Sequence, residues 1–198
     1  TGEFNTSLGS LSMGVGVTTS DYNVAIGYQA GTALTAGEKN TLIGSLAGDA
    51  LTTGHFNVAV GYLALSTEDA HGTNVAIGTA ALQTLNAGAD GHNVAVGHDA
   101  GKLMTTGVQN TIVGSNAGDA ITTGTYNTAI GYLALSAEDA HGRNTAIGYG
   151  TLKVQDAGAD GFNTAVGMEA GLAVSTGKQN TLLGANAGDA LTTGDNNI

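Results

Sequence analysis

The chain has 198 residues, a formal net charge of −11, 33 glycines, and no proline, cysteine or tryptophan. Without cysteine there are no disulfides or thiolate metal centres, and the scattered cations Lys39, Lys102, Arg143, Lys153 and Lys178 make no stripe for a phosphate backbone. No apolar run reaches the roughly 18 residues of a membrane-spanning helix, so neither nucleic acid nor membrane insertion is expected.

Taken in chain order, an asparagine-led pentapeptide dominates. After NTSLG at Asn5 it starts at Asn23, Asn40, Asn57, Asn74, Asn93, Asn110, Asn127, Asn144, Asn163 and Asn180. From Asn23 the steps are 17, 17, 17, 19, 17, 17, 17, 19 and 17, so four units make a block of 70 residues. AGDALTTG at Ala47 returns as AGDAITTG at Ala117, and YLALSTEDAHG at Tyr62 returns as YLALSAEDAHG at Tyr132. The expected organisation is an irregular first coil over 1–22, four-coil blocks over 23–92 and 93–162, and a partial third block over 163–198. A fixed short period punctuated by glycine and asparagine predicts an all-β solenoid or β-roll, with coils of 17 to 19 residues that bury apolar surface against their neighbours.

Within a unit, NVAIGY at Asn23 alternates as a strand does, and both of its faces are apolar or small. One face then lies inside the coil and the other against a further surface, for which a sister chain is the natural occupant; the expected assembly is a homotrimeric fibre. The alanine three residues past the motif glycine, as at Ala30 and Ala47, marks a corner entering a second short strand. Gly37, Gly54, Gly72, Gly91, Gly107 and Gly124 are expected to supply positive φ before the next asparagine. The asparagines should stack as a ladder that fixes register.

The residue before each motif asparagine is the most variable of the repeat, and aromatic or imidazole rings recur there at Phe4, Tyr22, Phe56, His92, Tyr126 and Phe162. Exposed rings suit sugar stacking, so Tyr22, Phe56, His92, Tyr126 and Phe162 are the candidate receptor-binding residues, with local shielding of the coil edge as the plainer alternative. Tyr28, Tyr62, Tyr132 and Tyr149 are expected in core or interface packing. Asp49, Asp119, Asp189, Asp69, Asp139, Asp90 and Asp160 recur at matched places and read as solvated or turn-capping groups, since no calcium-binding nonapeptide is present. His55, His71, His92, His98 and His141 show no metal-binding spacing. No nucleophile elbow, phosphate loop or unique acidic pair exists, so no catalytic residue, cofactor or metal is expected and the chain is not read as an enzyme. Paired threonines such as Thr52 with Thr53 and Thr122 with Thr123 raise ice binding as a third reading, but the ladder they make is interrupted in every block.

The repeat NTAIGYLAL at Asn127 to Leu135, with NVAVGYLAL at Asn57 to Leu65, resembles the repeats of bacteriophage tail fibres and tail spikes, which often precede an intramolecular chaperone. It is also similar to the head repeats of trimeric autotransporter adhesins, whose xAxAIG units build a parallel β-roll in a homotrimer. The 17- or 19-residue unit is longer than the usual adhesin head unit, and the 198 residues contain no adhesin neck, stalk or anchor, which favours the phage fibre. The resemblance implies a virion tail-fibre segment that is structural and binds a host cell-surface receptor, a glycan among the options. The alternative is the head of a bacterial surface adhesin.

Overall fold

The computed structural model describes residues 2–14, 19–138 and 140–198. Among them lie eleven three-residue strands and no helix. The strands run from β1 (Thr6–Leu8) to β11 (Thr181–Leu183) and form one parallel sheet in strict chain order, each strand paired with the next coil's copy of itself. The register follows the repeat: Ala25 pairs with Leu42, Leu42 with Ala59, and Ala76 with Ala95 across the boundary between the blocks. The protein is therefore a parallel β-solenoid of about 10 turns of roughly 17 residues.

The buried asparagines set that register. Asn110 shows the pattern: its backbone N–H donates to Asn93 Oδ1 (2.9 Å), its Nδ2 donates to the Gly124 carbonyl (2.9 Å), and its own Oδ1 accepts from the Asn127 N–H (2.9 Å). The same backbone-to-side-chain bond links successive asparagines from Asn5 to Asn197. The asparagine amide carries an N–H donor and a separate carbonyl acceptor on one short side chain, which lets it bond to both neighbouring coils at once.

The middle residue of each strand points inward. Ala25, Leu42, Ala59, Ala76, Ala95, Ile112, Ala129, Ala146 and Ala165 are fully buried, and across the coil they face the alanine column of Ala30, Ala47, Ala64 and Ala81 and a leucine-type column that includes Leu34, Leu51, Leu85, Met104 and Ile121. The core is one side chain thick, so volumes are traded within it. Where the inner strand residue is Leu42, the position across from it is Gly48, and a Cβ on that glycine would come within 2.8 Å of the leucine. Where the strand contributes Ala59, the equivalent position is filled by Leu65.

Two expectations about the turns need correction. The alanine column opens no second strand; it lies in a run of turns, tied to the next coil by bonds such as Gly31 N–H to the Ala47 carbonyl (3.0 Å). The glycines at Gly37, Gly54, Gly72, Gly91, Gly107 and Gly124 do not have positive φ. Left-handed backbone falls instead on the variable residue before each asparagine, such as Phe56 (φ 58°) and Tyr126 (φ 59°). The reason for glycine is steric: a Cβ on Gly107 would lie 2.6 Å from the Gly124 carbonyl oxygen of the next coil. The motif glycine is needed on both counts, since Gly44 has φ 135° and an added Cβ there would lie 2.5 Å from the Gly61 oxygen.

The column containing Leu34, Leu51 and Leu85 holds a glutamate in the coil before each two-residue insertion, and Glu68 and Glu138 are fully buried there. Glu68 accepts the His71 N–H (3.2 Å) through Oε1 and the Ala87 N–H (3.1 Å) through Oε2. Ala87 lies in the NAGADG segment that contains the insertion, where the Asn86 N–H keeps a coil-to-coil bond to the Thr105 carbonyl (2.7 Å) and the Ala87 N–H turns to the glutamate instead. The buried carboxylate thus supplies an acceptor for this amide, and burial pushes its pKa up.

Replacing Asn110 by alanine leaves the Asn127 N–H and the Gly124 carbonyl without partners inside the stack. Unfolding free energy in urea should fall by about 2–4 kcal/mol, and hydrogen exchange at the Asn127 amide should accelerate; Gln109→Ala on the exposed side serves as the reference.

Candidate functional site

The left-handed residue before each asparagine turns its side chain away from the core, and the coil period brings these side chains into one ridge. Tyr22, Phe56, Tyr126 and Phe162 are each about half exposed, at 53%, 55%, 50% and 52%, and His92 is exposed. Phe4 and Tyr22 stack with ring centroids 4.9 Å apart and planes 8° from parallel. Lys39 Nζ sits 5.1 Å from the centre of the Phe56 ring, and His55 tilts against the same ring at 6.2 Å. The Arg143 guanidinium lies 4.8 Å from the Tyr126 ring and 5.6 Å from that of Phe162, and its Nε donates to Asp160 Oδ2 at 2.8 Å.

Four of the five candidates therefore belong to three aromatic groups spaced along one edge, two of them held by a cation. His92 lies between Thr73 and Gln109, where its N–H donates to Thr73 Oγ1 (3.4 Å), and it joins none of these groups. Lys39 and Arg143 join the ridge although neither carries a ring. Their signal was the position they share with the rings: one coil step, about 4.8 Å, is the stacking distance of a cation on an aromatic face.

The other residues singled out divide clearly. Tyr28, Tyr62, Tyr132 and Tyr149 are about half exposed on the single chain, so none belongs to the core; Tyr132 and Tyr149 stack at 5.7 Å. Asp90 and Asp160 accept the Gly72 and Gly142 N–H groups (3.0 and 3.1 Å) and cap turns. Asp189 and Asp69 are exposed, and Asp139 lies outside the described residues. The threonines spend hydroxyls along the stack, Thr52 Oγ1 donating to the Asp69 carbonyl (2.7 Å) and Thr105 Oγ1 to that of Thr122 (3.2 Å).

The outward face of the sheet alternates with the core positions. It carries Val24 and Ile26, Thr41 and Ile43, Val58 and Val60, and their repeats to the end of the stack, half-buried or exposed throughout the described chain. Ile77, Val94 and Val166 reach 38%, 36% and 36% exposure. Among the described residues nothing packs on this strip of mostly β-branched side chains.

Comparison with known protein families, with curated proteins and with solved structures yields no match.

Burial raises the Asp49 and Asp119 carboxyls above their ordinary 3.8, and in each one carboxylate oxygen is buried without a hydrogen-bond partner. A raised folded value means that the fold holds the proton more tightly than the unfolded chain. These groups thus contribute most below pH 3.8 and lose that contribution as pH rises through the folded value. Asp49→Asn with Asp119→Asn should stabilise the protein more at pH 7 than at pH 3, measured as the shift in Tm at the two pH values.

Proposed function

We propose that this chain is a structural and receptor-binding segment of a phage tail fibre, mediating attachment to the bacterial host surface. The observation that carries the reading is the ridge: half-exposed rings held at several levels along one edge by a backbone conformation repeated in each coil. Rings with an accessible face and an adjacent cation suit the polarised C–H faces of sugars, so a surface glycan is the fitting receptor. Single contacts of this kind are weak, and several per chain multiplied over several chains give avidity without any deep pocket.

The assembly that goes with this is a homotrimer joined through the outward sheet faces. A strip of valine, isoleucine and threonine runs the length of the stack, and a second and third copy would cover it at about 25 cal/mol per Å². The head of a trimeric bacterial surface adhesin would use the same two surfaces, and it stands as the alternative owner. Ice binding is favoured less, because the threonine hydroxyls are engaged with neighbouring coils.

The native mass in solution should be three times the 19.4 kDa of one chain. Ile130→Glu on the outward face should reduce it to that of a single chain while circular dichroism stays β-rich; a monomeric parent protein would reject the assembly. For attachment, Phe56→Ser, Tyr126→Ser and Phe162→Ser together should abolish competition with phage adsorption to host cells. Undiminished competition by the triple variant would reject the ridge.

A further inference from the structure

The coil that places a glutamate in the apolar column departs from the repeat at a second position. Three residues before the ladder asparagine, where Gly37, Gly54, Gly107 and Gly124 stand in other coils, it carries His71, and its copy 70 residues later carries His141. Both departures fall in the same coil in both blocks, and they meet in space. His71 Nδ1 is 3.4 Å from Glu68 Oε1, and His141 Nδ1 is 3.7 Å from Glu138 Oε1. Among the described residues neither Nδ1 has a hydrogen-bond partner, although both atoms are shielded from solvent. A third oxygen completes each group: Asp69 in the first block and Asp156 in the second, with all three ligand atoms within 4.8 Å of one another.

We propose that each block carries a site for a divalent transition metal of the zinc type, formed by Glu68, Asp69 and His71 in the first and by Glu138, His141 and Asp156 in the second.

The donor set decides the class of ion. One imidazole with two carboxylates suits zinc and its borderline neighbours, whereas calcium takes an all-oxygen shell. The spacing agrees, because two ligands about 2.1 Å from a tetrahedral ion are about 3.4 Å apart. The glutamate has the capacity: each oxygen of Glu68 accepts one backbone N–H and retains a second lone pair. Two carboxylates and a neutral imidazole bring a charge that a divalent cation cancels, which relieves the burial of Glu68 in an apolar column. In each block a buried glutamate and a half-buried histidine form the inner side, and the exposed aspartate closes the site toward solvent. The ion would stiffen the coil that leads into each insertion, where the regular ladder is weakest.

The test uses the whole chain, stripped with chelator, loaded with zinc and dialysed, with bound metal measured by elemental analysis. Two zinc ions per chain are expected, together with a rise in Tm on loading. His71→Gln and His141→Gln should each leave one ion, and the double variant none, with unchanged circular dichroism. Asp69→Asn and Asp156→Asn should weaken the corresponding site without removing an inner side chain. His98→Gln, on an exposed imidazole, should leave both ions in place. Equal zinc on the double variant and the parent would overturn the proposal and leave an internal histidine–glutamate contact as the role of these side chains. Zinc lost equally in the His98 variant, or calcium giving the same rise in Tm, would overturn it as well.

Discussion

The structure depends on one interaction, the bond from each ladder asparagine's backbone N–H to the side-chain oxygen of the asparagine one coil earlier. Twenty-seven non-glycine residues of the described chain hold positive φ, a conformation costing about 1–2 kcal/mol apiece for an L-residue. Such a backbone persists only where its surroundings over-determine it. The amide ladder does this by fixing the start of every coil against the last, while strand pairing and turn-to-turn bonds hold the rest. A core of alanines and single leucines does not anchor register alone, since a slip of one residue along a strand would bury the equally apolar outward face. An asparagine displaced from its ladder would instead strand several polar groups in an apolar stack.

With the coil start pinned, each position of the repeat becomes a line running along the stack. Inner strand residues become a core column, outer ones an apolar strip, and the residue before the asparagine a ridge of rings and cations. Chemistry on such a scaffold is written by column rather than by pocket. Lys39 and Arg143 accordingly gain meaning only beside Phe56, Tyr126 and Phe162. The coil before each insertion is the exception to the columns, and there a carboxylate and an imidazole replace the leucine and glycine of the other coils.

Much of this was legible beforehand because a repeat displays its own alignment. The coil length, the parallel order, the asparagine ladder and the shared column of ring residues all follow from counting positions. What misled was local chemistry judged one residue at a time. Glycine before the asparagine looked like a left-handed corner, yet the left-handed residue was its larger neighbour, and the glycine was there to let the next coil's carbonyl pass. Alanine past the motif looked like a strand start, yet turns served to build that wall. Glu68 and Glu138 stand in the leucine row of the repeat, within the acidic segments TEDA and AEDA.

The period, the stacking axis and the residue that fixes register can be read from the chain alone, because they depend on which side chains recur and at what interval. Which strand face is interior, where the left-handed backbone falls, and that a buried carboxylate accepts the Ala87 N–H at the first insertion were decided by how the coils pack. Those outcomes turn on distances between coils, where a few tenths of an ångström separate a permitted Cβ from a clash and a satisfied amide from an orphaned one.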